Sequence, residues 1–151
     1  MAMAYFFRAG EYIEMRSDYA KALADYDAAI KLSPPTSPLL YRYYWVRGYV
    51  QALFGQDQKR AIADYTQALR LKPMMPLAYA TRAAAQQKLG KLHEALDDYS
   101  TAINIAPDYG FAYLQRAAIY AELGDAASAE ADRVKARTLP QGWYVQPAVL
   151  P

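Results

Sequence analysis

The 151-residue chain contains no cysteine, which excludes disulfides and thiolate metal sites. It has one histidine, His93, without a carboxylate cluster around it, so no metal site is expected. Its seven glycines never gather into a phosphate-cradling loop, and no serine sits in a nucleophile elbow. No run of about 18 apolar residues, the length a membrane-spanning helix needs, is present. There is no basic block either: Lys and Arg are dispersed, and the formal net charge is only +2. Nucleic-acid binders draw most of their affinity from clustered cations that neutralise phosphates, so no such partner is expected. The start, Met1-Ala-Met-Ala-Tyr-Phe-Phe, lacks a basic segment followed by a long apolar one and is not expected to be an intact signal peptide. The expected location is the cytoplasm, or the periplasm if an N-terminal signal has been removed.

Tyrosine, by contrast, is abundant, with 15 copies, and many recur at fixed places. Four arginines each precede a small residue: Arg8-Ala9, Arg47-Gly48, Arg82-Ala83 and Arg116-Ala117. Three residues before each stands a tyrosine: Tyr5, Tyr44, Tyr79 and Tyr113. Further on come Asp25-Tyr26, Asp64-Tyr65, Asp98-Tyr99 and the variant Asp132-Arg133. These second markers are flanked by alanines four residues before (Ala22, Ala61, Ala95, Ala129) and three after (Ala29, Ala68, Ala102, Ala136). Pro34, Pro73, Pro107 and Pro140 close the units. A period near 34 residues with two helical stripes per unit predicts a reiterated helix–turn–helix. Gly90 suits the end of a first helix because it takes positive φ without a Cβ penalty. The closing prolines stop the second helices.

The pattern Tyr-x-x-Arg-Ala/Gly, Gly, Ala-x-x-x-Tyr-x-x-Ala, Pro resembles the tetratricopeptide repeat, most closely bacterial members with Arg-Gly in the first helix and Asp-Tyr in the second. It covers most of the chain. The resemblance implies an all-α fold: a right-handed α-α superhelix, or solenoid, of four repeats at about 2–34, 41–75, 76–109 and 110–140. An apolar, non-helical tail at 141–151 follows this 1–140 domain, with Trp143 and Tyr144 packing on the last helices or the tail filling a groove. The linker at 33–38 is longer than usual, and the second repeat carries an extra residue in its turn. Large apolar residues on the second helices (Leu23 and Ile30, Ile62 and Leu69, Leu96 and Ile103) give way to Glu130 and Arg137 in the fourth, which reads as a C-terminal cap; no such cap is expected at the N-terminal end.

In this family the first helices line a concave groove. Stepping from each marker tyrosine at helical spacing places Phe6, Phe7 and Ile13, then Trp45, Val46, Tyr49 and Leu53, then Thr81 and Lys88, then Leu114 and Gln115 on that face. The N-terminal half is aromatic and aliphatic, the C-terminal half small and polar. Members that grip a C-terminal carboxylate use Lys, Asn and Arg here. Phe6, Gly10, Val46 and Thr81 hold those places, so an apolar peptide or amphipathic helix is the expected ligand, with Trp45 and Tyr49 either anchoring it or packing on the first linker. The expected function is a non-enzymatic protein-interaction scaffold; the alternative is a module that self-associates through its N-terminal end or its tail. No cofactor is expected, and the chain is expected to be a monomer or weak dimer.

The recurring couples Arg8/Asp25, Arg47/Asp64, Arg82/Asp98 and Arg116/Asp132 predict a ladder of interhelical ion pairs. A catalytic group would occur once rather than four times, and no catalytic residue is expected.

Overall fold

A computed structural model describes residues 1–14 and 18–139. The expected packing of Trp143, Tyr144 and the rest of 141–151 lies outside the described residues. The fold is all-α, and no strand occurs among the described residues. Eight helices follow in order: α1 (Ala2–Glu14), α2 (Tyr19–Leu32), α3 (Leu40–Leu53), α4 (Gln58–Leu71), α5 (Pro76–Lys88), α6 (Leu92–Ile105), α7 (Gly110–Glu122) and α8 (Ala126–Thr138). They form two compact units, Met1–Pro73 and Met74–Pro151.

Local chemistry sets the helix ends. Asp18, Asp57 and Asp125 precede α2, α4 and α8, and each carboxylate accepts a backbone N–H three residues on, from Lys21, Arg60 and Ser128 at 3.0 Å. Such caps satisfy a donor that the first turn leaves without an intrahelical partner. Pro76 opens α5, where its missing N–H costs nothing. Gly90 and Gly124 follow α5 and α7 with φ of 72° and 83°. His93 lies exposed in the first turn of α6.

The extra turn residue is not confined to the second repeat. Arg and Asp markers are 17 residues apart in both pairs of the first unit and 16 in both pairs of the second. The α3–α4 turn therefore closes without a positive-φ glycine, using Gln56 at φ 50°.

In the first unit α1 packs on α2, α2 on α3 and α3 on α4. The second helices bury one stripe each: Ala22, Asp25, Tyr26 and Ala29 in α2, and Ala61, Asp64, Tyr65, Ala68 and Leu69 in α4. Tyr26 and Tyr65 are almost wholly enclosed. Gly48 lies where α3 and α4 cross: a Cβ there would stand 3.0 Å from the Tyr65 ring and 3.1 Å from the Ala61 carbonyl oxygen and Asp64 Cβ. The second repeat therefore takes glycine where the other repeats take Ala9, Ala83 and Ala117.

In the second unit α5 packs on α6, α6 on α7 and α7 on α8. Its core joins Tyr99, Tyr109, Tyr113, Ile103 and Ile119 to a set of alanines. The outer face of α8 is polar: Glu130 and Arg137 are exposed, and their side chains approach to 3.4 Å.

Tyr43 and Val50 of α3, and Ala112 and Ile119 of α7, are buried. The equivalent α1 residues, Ala4 and Glu11, are exposed, as are Arg8, Met3 and Phe7 beside them, so this face of α1 mixes polar and apolar side chains.

Candidate functional site

All four Arg–Asp couples meet as two-pronged forks. Arg8 Nε and Nη2 donate to the two oxygens of Asp25 at 2.6 and 2.7 Å. Arg47 does the same to Asp64 at 2.7 and 2.6 Å. Arg82 reaches Asp98 at 2.7 Å through both nitrogens, and Arg116 reaches Asp132 at 2.7 Å likewise. The four aspartates are buried. Each guanidinium also lies 5.1–5.7 Å from the centre of its marker tyrosine ring: Tyr5, Tyr44, Tyr79 and Tyr113. Hydrogen bonding to Asp98 and Asp132 holds the Arg82 and Arg116 guanidiniums above their ordinary pKa. For Arg47, burial works against the charge, and bonds to Asp64 and Asp27 outweigh it.

Arg47 and Arg116 each reach a third partner on the preceding second helix. Arg47 Nη1 donates to Asp27 at 2.6 Å, and Arg116 Nη1 donates to Ser100 Oγ at 2.9 Å. Asp27 and Ser100 occupy the same place, one residue after the buried tyrosine. Sequence reading missed this link because its acceptor changes type between repeats. Arg8 has no counterpart partner among the described residues, and its side chain is 54% exposed against 18–19% for the other three.

The residues expected to line a groove fall into two groups. Val46 is fully enclosed, and Ile13 and Trp45 are buried. The Val46, Trp45 and Ile13 side chains belong to the core of the first unit and offer a ligand almost no surface. Stepping at helical spacing placed them on the open stripe, but these positions sit at its border, where neighbouring helices cover them. Phe6 is half-buried among Phe7, Tyr26 and Tyr43, with ring centres 5.9, 5.6 and 4.8 Å away, and the Arg42 guanidinium lies 5.5 Å from its ring. Trp45 stacks on half-buried Tyr49 at 5.8 Å. Phe7 and Leu53 are 62% and 45% exposed.

In the second unit Thr81 is half-buried, and its hydroxyl donates to carbonyls of its own helix at Leu77 and Ala78. Lys88 is exposed, Leu114 is 37% exposed and Gln115 is half-buried. A further aromatic contact escaped the sequence reading: Tyr19 stacks on Phe54 at 4.1 Å, joining the starts and ends of two helices. Among the described residues no three His, Asp or Glu side chains are placed to hold a metal ion, and no helix is long and apolar enough to cross a membrane.

Residues 77–109 match the tetratricopeptide repeat family. No curated protein matches the chain. Among solved structures it is similar to a tetratricopeptide repeat protein from Parabacteroides merdae ATCC 43184, at 25% identity and a TM-score of 0.82, over 89% of this chain and 51% of that one. The chain thus spans about half the length of that protein. It is similar to MamA at 19% identity and a TM-score of 0.81, covering 90% of this chain and 76% of that one. It is also similar to YrrB, described as a tetratricopeptide repeat protein with an unusual peptide-binding site, at 20% identity and a TM-score of 0.77, over 89% and 66% of the two chains. Residues 77–109 are a tetratricopeptide repeat, and the chain around them has the fold of tetratricopeptide repeat proteins.

Proposed function

We propose that the chain is a non-enzymatic scaffold that holds an apolar segment of a partner protein against the first helices of its repeats. The observation that carries this reading is the exposure of Phe7 on α1 and of Leu53 on α3, the helix that also bears Tyr49. Exposed large apolar side chains at ligand-facing places cost solubility unless something covers them in use. Tyr49 and Leu53 stand four residues apart on one helical face, a spacing that an amphipathic helix or extended peptide can match. A protein of the same fold described as having a peptide-binding site lends the reading support.

The repeated forks hold the first and second helices in register; they are structural, not catalytic. Panning a random peptide library against the wild-type chain and a Phe7→Ser/Leu53→Ser variant tests the reading. Wild type enriches apolar peptides that the variant loses. Identical enriched sets would remove these first-helix faces as the binding surface.

A further inference from the structure

An open pocket of about 320 Å3 in the first unit is lined by Asp27, Arg47, Gln51, Arg60, Ala63 and Asp64. Arg47 and Gln51 lie on a different face of α3 from Trp45 and Tyr49, so the pocket is separate from the surface assigned above.

The other repeats show what such a place holds. Four residues after the marker arginine, the first and fourth repeats carry Tyr12 and Tyr120, where the second carries Gln51. In the fourth repeat the Arg116 guanidinium lies between two rings, 5.7 Å from Tyr113 and 5.8 Å from Tyr120. In the first repeat Lys21, which corresponds to Arg60, puts its ammonium 5.9 Å from the Tyr12 ring. The second repeat keeps both cations. Arg47 has Tyr44 at 5.6 Å, but no residue of its own repeat supplies the second ring. The pocket opens beside the shorter Gln51, whose Oε1 has no hydrogen-bond partner among the described residues. The third repeat also has glutamine, Gln86, but the counterpart of Arg60 there is Glu94, so it lacks the second cation.

We propose that this pocket binds a tyrosine side chain of a partner polypeptide, its ring taking the place that Tyr120 occupies in the fourth repeat. The electron-rich face of a phenol suits the open side of the Arg47 guanidinium, and Arg60 flanks it as Lys21 flanks Tyr12. The polar mouth, with Arg60 as donor and Asp27 as acceptor, favours a ring with a hydroxyl over a purely apolar one. Asp27 and Asp64 already neutralise Arg47, and Asp57 lies 3.3 Å from the Arg60 guanidinium, so an anionic ligand gains little here.

Titrating N-acetyl-tyrosinamide into the full chain, followed by amide NMR shifts, tests the proposal. Shifts should saturate at α3 and α4 residues around Gln51 and Ala63. N-acetyl-leucinamide, which lacks the ring, should bind about tenfold more weakly or less. Gln51→Tyr supplies the ring from within and should abolish the shifts while raising the melting temperature. Ala63→Leu, at an exposed helix position, blocks the pocket from its other wall and should abolish them without relying on the first variant's folding. Gln86→Tyr should leave binding unchanged. Equal binding of the two amides, binding retained in both blocking variants, or shifts centred on Trp45 and Tyr49 would each overturn the proposal.

Discussion

The two units use one repeat to build unlike interiors. The first puts Phe6, Tyr43, Trp45, Tyr26 and Tyr65 into its core and needs Gly48 to bring α3 against α4. The second fills its first helices with alanine, with Ala78, Ala80, Ala83 and Ala85 buried on α5 alone. Their links between neighbouring repeats differ too: Arg47 meets a carboxylate, Asp27, whereas Arg116 meets a hydroxyl, Ser100. One scaffold therefore tolerates large changes in core volume, provided the close crossings and the Arg–Asp forks stay in place.

The largest effect should come from alkali. Burial pushes Tyr26 in the first unit and Tyr109 in the second up to about 12, and burial first, then Tyr109 and Asp98, drives Tyr99 higher still. The folded chain holds these protons more tightly than the unfolded one, whose tyrosines titrate near 10. The stability they contribute is intact below pH 10 and is lost as pH rises toward 12 and beyond. Helical circular dichroism between pH 9 and 12.5 should show unfolding in that window. Residue-resolved amide exchange over the same range can separate the two units.

Removing a core ring comes next. Tyr65→Ala and Tyr99→Ala should each cost about 3–5 kcal/mol in urea unfolding, because each deletes an enclosed side chain and leaves a cavity. A much smaller loss for Tyr65 would mean that the aromatic unit can repack where the alanine-rich one cannot. Arg47→Ala and Arg82→Ala should each cost about 2–4 kcal/mol, since a buried aspartate loses its partner. A melting temperature unchanged by both would count against a structural role for the forks.

Gly48→Ala should cost about 1–3 kcal/mol, because the ring and carbonyl around the added methyl must move. If it proves neutral, the tight crossing does not distinguish the units. The smallest effect should be the most discriminating. Asp27→Ala and Ser100→Ala should each cost less than about 1 kcal/mol. Only the first should fade in high salt, because only that link joins two charges across an exposed site.

Much of the fold was legible because its markers repeat. Tyr, Arg, Asp and Ala returning in register predict paired helices, and the couples that recur predict the forks. What changes between copies was hard to see. Asp27 and Ser100 share a role but not a chemical type, and Gln51 matters only against Tyr12 and Tyr120. The groove stripe was half legible: spacing along one helix identifies a face, but Val46 and Ile13 are covered by neighbours that spacing does not describe. Glu11, at a place where α3 and α7 carry Val50 and Ile119, marks α1 as different from the inner first helices, and it stands exposed beside Phe7. The aspartate caps, by contrast, could have been read directly, since each acid stands immediately before its helix.

Each fork also has a kinetic consequence. Its two halves lie only 16 or 17 residues apart along the chain. Closing so short a loop costs little entropy and takes well under a microsecond for flexible chain. Contacts this local belong to topologies that fold in microseconds to milliseconds. During synthesis, each hairpin of helices can latch as soon as its fork aspartate clears the ribosome, before the next repeat has emerged.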